Sequence, residues 1–248
     1  MSKTYHARFY PLIQTMEKEH FWYRARSSLL YHLIQRYIPH GKGKTFLEIG
    51  CGTGILLPVF ESLGLSVTGM DINSQALSYA KGKSHAHLIR SSFLSFKQKK
   101  QYDSIGIFDI LEHQNDDQKF LVKCRSLLQP GGFLFISVPA HQWLWNGIDI
   151  MSGHKRRYEK SDLVEKLGKA GFSVCFSNYW NVLLLGFYVL WRMQFVFGKR
   201  KSHIESYFMI SPRLINTWCQ WVLQMEEKLF FTISFPFGSS LIMVATKD

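Results

Sequence analysis

At 248 residues with 46% hydrophobic content, the chain can bury one sizeable core, and no Pro- or Ser-rich stretch divides it, so one domain is expected. A formal net charge of +12 points to phosphate-bearing partners, whether nucleic acid, anionic lipid or a phosphorylated metabolite, although a solvated basic face with no specific partner also fits. The cysteines Cys51, Cys124, Cys175 and Cys219 form no C-x-x-C pair, and Met1 to Tyr10 is polar and mixed rather than leader-like. Both features read as reduced thiols in a cytoplasmic protein.

Residues 1 to 44 carry eight Lys/Arg against two acids. Trp22, Tyr23, Leu29, Leu30, Leu33, Ile34 and Tyr37 recur at helical spacing, and Pro39-His40-Gly41 follows as a stop, so this stretch predicts helix. Residues 45 to 140 then alternate strands and helices, which implies parallel pairing with right-handed crossovers. The first strand, Phe46-Leu47-Glu48-Ile49, reads as buried on both faces and runs into Gly50-Cys51-Gly52-Thr53-Gly54. Glycines there supply a tight turn and let a ligand come against bare backbone at a helix start. A second strand, Leu65 to Met70, ends in Asp71, placed to accept from ribose hydroxyls.

Spacing separates two kinds of nucleoside cofactor. Dinucleotide sites use G-x-G-x-x-G, whereas the glycines here read G-x-G-x-G with Glu48 two residues ahead. A carboxylate there repels a pyrophosphate and suits the ammonium and sulfonium of a methionine moiety.

At these residues the chain resembles the class I S-adenosylmethionine-dependent methyltransferases, whose motif is an apolar strand followed by E/D-x-G-x-G-x-G; the match is Glu48 to Gly54. The likeness continues through Asp71, Tyr102-Asp103, Phe108-Asp109-Ile110-Leu111-Glu112-His113 and Leu128-Gln129-Pro130-Gly131-Gly132-Phe133-Leu134, covering roughly residues 45 to 180 and returning at the final strand. It implies an α/β fold: a Rossmann-like, seven-stranded, mostly parallel sheet with its last strand antiparallel, helices on both faces and a helical cap. It also implies S-adenosyl-L-methionine as cofactor, held by Glu48, Gly50, Cys51, Gly52, Gly54, Asp71, Ile72, Ser92, Phe93 and Asp109. One departure falls after the third strand, His87 to Arg90. Many relatives carry an Asp there for the adenine amine, and this chain has Ser91-Ser92-Phe93, leaving a hydroxyl or a backbone amide for that contact.

The fifth strand is followed by Pro139-Ala140-His141-Gln142-Trp143-Leu144-Trp145-Asn146-Gly147-Ile148-Asp149 and then Gly153-His154-Lys155-Arg156-Arg157-Tyr158. Trp143 and Trp145 could wall a planar or apolar acceptor, Arg156 and Arg157 clamp a phosphate or carboxylate, and His141 or His154 take a proton from a hydroxyl. His141, His154, Arg156, Arg157 and Tyr158 form the catalytic set. A helix is expected over Ser161 to Ala170, with Ser161 as N-cap, and then a strand from Phe172 to Tyr179. Bacterial methyltransferases found with lipid-linked glycan genes are similar in pairing a G-H-x-R-R-Y with an early E-x-x-H-F-W-like segment, here Glu17 to Trp22. Asp109-x-x-Glu112-His113 also resembles the E-x-x-E-H of some ubiquinone-pathway methyltransferases, a set that could hold a divalent metal. The reading adopted is that Asp109 faces the methionine end while Glu112 and His113 are structural hydrogen-bonders, with no metal.

Residues 181 to 237 form a 57-residue aromatic and apolar insertion before the last strand, Leu241 to Thr246. By the resemblance it leaves the carboxyl edge of the sheet, so a cap overhanging the site is expected. Its apolar run, Val182 to Trp191, has ten residues, half of the roughly 20 that a bilayer span needs. It reads as buried cap core, or as a helix dipping into an anionic lipid interface beside Lys199-Arg200-Lys201. The function expected is methyl transfer, at oxygen, to a small or lipid-linked acceptor, on the cytoplasmic side and peripheral on the inner membrane face. Two alternatives stand beside it. A nucleic-acid methyltransferase is suggested by the charge, but no D/N-P-P-Y/F follows the fourth strand. A catalytically silent cofactor-binding module that docks membranes or partner enzymes is the other.

Overall fold

The computed structural model describes residues 10–98, 100–186 and 212–248. Two helices open it, α1 (Tyr10–Glu19) and α2 (Phe21–Tyr37), broken at His20, whose ring accepts from Trp22 N and caps α2. Then follow β1 (Thr45–Ile49), α3 (Leu57–Glu61), β2 (Ser66–Asp71), α4 (Ser74–Lys81), β3 (His87–Arg90), β4 (Tyr102–Phe108), α5 (Asp117–Leu127) and β5 (Leu128–Pro139). The chain continues through α6 (Gly147–Ser152), α7 (Lys160–Lys169), β6 (Ser173–Trp180), a helix numbered α8 here (Arg213–Phe230) and β7 (Ser240–Thr246).

The strands form one seven-stranded sheet in the order β3-β2-β1-β4-β5-β7-β6, with β7 antiparallel to both neighbours, as expected. Phe46, Leu47, Ile105 and Ile107 are fully buried, because helices cover both faces of the central strands. One core layer packs α5 and α7 (Phe120, Leu121, Leu163, Leu167) on the sheet, and the other packs α2, α3 and α8 (Leu29, Leu33, Phe60, Leu223, Phe230). Strand order reverses between β1 and β4, so their carboxyl ends open the crevice where open α/β sheets bind ligands.

Among the described residues, three other than glycine have positive φ: Asp109 (55°), His141 (59°) and Asn181 (60°). They stand just past the carboxyl ends of β4, β5 and β6; β4 borders that crevice, whereas β6 is the outer strand of the sheet. Such conformations cost about 1–3 kcal/mol each and persist where surrounding bonds over-determine them. Asp109 N donates to Ser137 O, His141 N to Tyr158 O, and the chain after Asn181 is held by Glu226, which accepts from Val182 N and Leu183 N.

One expectation changes. The N-cap of α7 is Glu159, not Ser161; its carboxylate is committed to His141, and Lys160 N donates instead to Tyr179 Oη. The insertion's described helix, α8, lies along α2. Val222, Leu223 and Phe230 are buried there, and Glu227 accepts from Ser28 Oγ and pairs with His32. It meets the carboxyl edge at Asn216, which bridges Phe21 N and Glu19 O, and again at Glu226, which accepts from Val182 N and Leu183 N just past β6. Residues 187–211, with half of the apolar run and Lys199-Arg200-Lys201, lie outside the described residues.

Candidate functional site

The glycine turn after β1 is pinned to β2: Gly50 N and Cys51 N both donate to Met70 O, at 2.7 and 3.0 Å. Gly50 (φ 76°) admits no side chain, since a Cβ would lie 2.5 Å from Ile110 Cδ1. At Gly52 (φ 53°) a Cβ would meet nothing within 4 Å, so bare backbone faces open space. Gly52 N donates to Asp71 Oδ2 at 3.0 Å and Asn73 N to Oδ1 at 2.8 Å, which fixes that carboxylate and leaves each oxygen further acceptor capacity. Burial, reinforced by Glu48 and Asp71, pushes the Cys51 thiol up, so Cys51 is a neutral packing group.

Glu48 is buried and its Oε2 has no hydrogen-bond partner. Burial pushes its carboxyl up to about 8; Arg26 opposes this, while Asp71 and Glu17 add to it. An orphaned acid beside an open glycine turn and a ribose-type acceptor fits a cationic nucleoside such as S-adenosyl-L-methionine. It does not fit a pyrophosphate.

Between Glu48 and the end of β4 stands Arg26, which carried no role in the sequence reading. Its Nη2 meets Asp109 Oδ2 at 2.5 Å and Ser137 Oγ at 3.4 Å, Ser137 Oγ donates to Asp109 Oδ1, and the guanidinium lies 5.2 Å from the Trp22 ring centroid. Arg26 falls on the apolar stripe of α2 with Trp22, Leu29, Leu30 and Leu33, and a charge in such a stripe was a signal available from sequence. The E-x-x-H-F-W-like segment also finds its roles. Glu17 accepts from Thr53 Oγ1 in the glycine turn and from Lys83 Nζ, His20 caps α2, and Trp22 covers Arg26. Replacing Arg26 with Gln should destabilise the fold by up to about 3 kcal/mol in urea unfolding; the part exposure of Asp109 keeps the loss below that of a fully buried pair.

The adenine-side residues divide. Ile72 is 49% exposed beside Asp71. Ser92 is exposed, whereas the Phe93 ring packs in the core against Phe120, 4.7 Å between centroids, leaving Phe93 only its backbone N–H for a ligand.

The G-H-x-R-R-Y residues are already engaged with acids. Arg156 Nη1 and Tyr158 Oη both donate to Asp117 Oδ2, joined by Lys166 on Oδ1, and this ties the loop to α5. Burial and the Asp117 carboxylate hold the Tyr158 phenol well above its usual range. Arg157 grips Asp149 through Nε and Nη2, both at 2.9 Å. The clamp expected of Arg156 and Arg157 is therefore directed at Asp117 and Asp149. Asp149, fully buried and given no role from sequence, also accepts from Asn146 N and bonds His154 Nδ1 at 2.8 Å. Burial raises its pKa, but the bonds from His154 and Arg157 outweigh that and hold it below the ordinary carboxylate range.

On its other side His154 Nε2 lies 3.8 Å from Glu112 Oε1. Glu112 is fully buried, with neither oxygen hydrogen-bonded, so it is not the structural hydrogen-bonder expected; burial and nearby Asp109 raise its pKa well above the usual range. Glu112, His113 and His154 offer donor atoms within 4.8 Å of one another, a group able to hold a divalent cation. His141 is buried, with Nδ1 on Glu159 Oε2 at 2.8 Å and its ring stacked on Tyr179 and Trp143. Trp143 remains 59% exposed at the loop surface, and Trp145 is half-buried.

A family described as a methyltransferase domain matches residues 21–175. The chain is 36% identical over 105 residues to a ubiquinone biosynthesis O-methyltransferase of Paraburkholderia xenovorans, a match covering 40% of this chain and 45% of that protein. It is 31% identical over 102 residues to the enzyme of the same name from Coxiella burnetii, covering 39% and 44%. The chain thus spans about half the length of the curated relatives it matches. Among solved structures, a SAM-dependent methyltransferase from Archaeoglobus fulgidus aligns with TM-score 0.57 at 20% identity, covering 95% of this chain and 99% of that one. Magnesium protoporphyrin IX methyltransferase from Synechocystis, with bound SAH, aligns with TM-score 0.63 at 13% identity, covering 100% and 97%. At these identities the likeness establishes the fold.

Proposed function

This chain belongs to the methyltransferase domain family, and from that premise we propose that it moves the methyl group of S-adenosyl-L-methionine to an oxygen of a small or lipid-linked acceptor. When bound, the cofactor supplies a methyl group already activated on a sulfonium. Glu48 holds its cationic amino acid end, Asp71 accepts its ribose hydroxyls, Ile72 and Ser92 flank its base, and Gly52 lets it approach the backbone. What remains for the protein is to align the acceptor, exclude water and take the hydroxyl proton.

The observation that carries oxygen as the target is the pair of carboxyls flanking His154, whose surroundings push their pKa values apart. Asp149 is kept ionised on Nδ1, whereas burial and Asp109 favour the neutral form of the Glu112 carboxyl, 3.8 Å from Nε2. His154 is the base, receiving the acceptor proton on Nε2. Asp149 is a positioning residue that fixes the ring and stabilises the imidazolium, and Arg157 holds Asp149 in place. His141, sealed between Tyr179 and Trp143, shapes the wall of the acceptor site.

A second reading rests on the same orphaned Glu112: Glu112, His113 and His154 would bind a divalent metal that activates the hydroxyl. Loss of activity on chelation, restored by magnesium or zinc, assigns the site to it, and indifference to EDTA removes it.

No described helix is long and apolar enough to cross a membrane. The proposed location is the cytoplasmic side, peripheral on the inner membrane face. Incubation with radiolabelled donor and fractionated cell extract tests the whole reading. Label should follow lipid or small-molecule fractions. Label confined to RNA, or donor binding with no label transferred anywhere, refutes it.

A further inference from the structure

The strongest feature outside the site is the outer face of α8. Leu214, Trp218, Trp221, Met225 and Leu229 recur at steps of four, three, four and four, forming one continuous stripe along the helix. Leu214 is 85% exposed and Trp221 58%, and the chain just beyond the helix adds exposed Ile233 and Phe237. Val222, Leu223 and Phe230 form the opposite, buried face, so the helix is apolar on both its core side and its solvent side.

Charge on α8 is sorted as strictly. Both of its acids, Glu226 and Glu227, are buried and bonded, Glu226 to Val182 N and Leu183 N and Glu227 to Ser28 and His32. The exposed arc carries Arg213 and Lys228 with no acid, on a chain of net charge +12. An exposed apolar stripe with two tryptophans, basic residues beside it and no carboxylate matches the chemistry of an anionic phospholipid interface. A protein partner recognised by charge would meet only cations here. Asn216 ties the start of α8 to the α1–α2 turn, from which Trp22 and Arg26 enter the site.

We propose that the outer face of α8 docks on an anionic phospholipid surface, with the helix lying in the interface plane and its first turns bringing the site mouth to the headgroups. This deepens the proposed peripheral location and rests on it. It moves the membrane contact from the apolar run at Val182 to Trp191 to a helix whose burial and charge are on view.

Flotation of the full-length protein with vesicles tests it. Wild-type protein should float with phosphatidylcholine vesicles containing phosphatidylglycerol at low salt and far less with phosphatidylcholine alone. The variant carrying L214Q and W221Q, both at exposed positions, should bind the anionic vesicles about tenfold or more weakly while keeping its thermal midpoint. If wild-type protein does not float, both the peripheral location and the α8 assignment fall. If the double variant floats as well as wild type, the location stands and α8 is the wrong surface. Vesicle-free dimerisation that the same substitutions abolish would show a second copy as the occupant and would also overturn the lipid assignment.

Discussion

Exchange of His154 for Gln should lower the maximal rate of methyl transfer by about 10²- to 10⁴-fold, the range of positioned general bases, with donor binding by calorimetry unchanged. Asp149→Asn should fall within the same range while leaving a histidine in place. The amide fills the space of the carboxylate, but it cannot stabilise the imidazolium that forms when His154 takes the acceptor proton. A merely structural Asp149 would affect stability and acceptor KM together. A positioning role shows as lost kcat at unchanged donor affinity, with Arg157→Lys intermediate because one of two bonds to Asp149 survives. His154→Ala should regain part of its rate with added imidazole. Retention of the wild-type rate by His154→Gln would remove the base assignment, and with it the main argument for a hydroxyl acceptor.

How much of this site was legible in the sequence depends on how far each signal reaches along the chain. The donor half is written in contiguous stretches, because strand, glycine turn and acid must follow one another for backbone and carboxylate to meet one ligand. Glu48, Gly52 and Asp71 therefore stood out, and the sheet order follows from the same alternation. The acceptor half depends on partners far apart in sequence. Arg157 reads as a substrate clamp until folding brings Asp149 to it, and Arg156 until it meets Asp117. Arg26 reaches Asp109 across 83 positions, and no local pattern announces that bond. Glu112 sat in a stretch that invited a metal or structural reading, but only the structure shows its carboxyl sealed and unpaired. The insertion was legible only in part for a related reason. Its length and exit point were visible, while the side on which α8 packs is decided by Glu226, Glu227 and Asn216, whose partners lie on the chain after β6 and around α2.

Donor affinity should follow a bell-shaped curve with pH, peaking near pH 8, and Glu48→Gln should erase both limbs. In the free protein the Glu48 carboxyl titrates at about 8, so near neutral pH it is largely protonated. Binding a cation requires it ionised, so donor binding should release close to one proton at neutral pH, and affinity should fall by about tenfold for each pH unit below 8. On the alkaline side the donor's own α-amino group, which titrates near about 8, loses the charge that Glu48 recognises. Calorimetry in buffers of differing ionisation heat reads the proton release directly. Glu48→Gln should bind about 30-fold or more weakly at pH 8, from loss of a buried charge partner, and its affinity should vary little with pH because both limbs depend on that carboxylate. The same group sets the sign of a stability effect. Because its folded pKa lies above the unfolded value of 4.5, the folded state holds the proton longer, so Glu48's contribution to stability is complete below about pH 4.5 and lost as pH rises towards 8. Urea unfolding of the donor-free protein should therefore show Glu48→Gln gaining on wild type as pH rises through that window. Donor affinity that is flat from pH 6 to 8, with no proton released, would mean that Glu48 is ionised in the free protein or does not meet the cation, and either result would break the link between its burial and donor recognition.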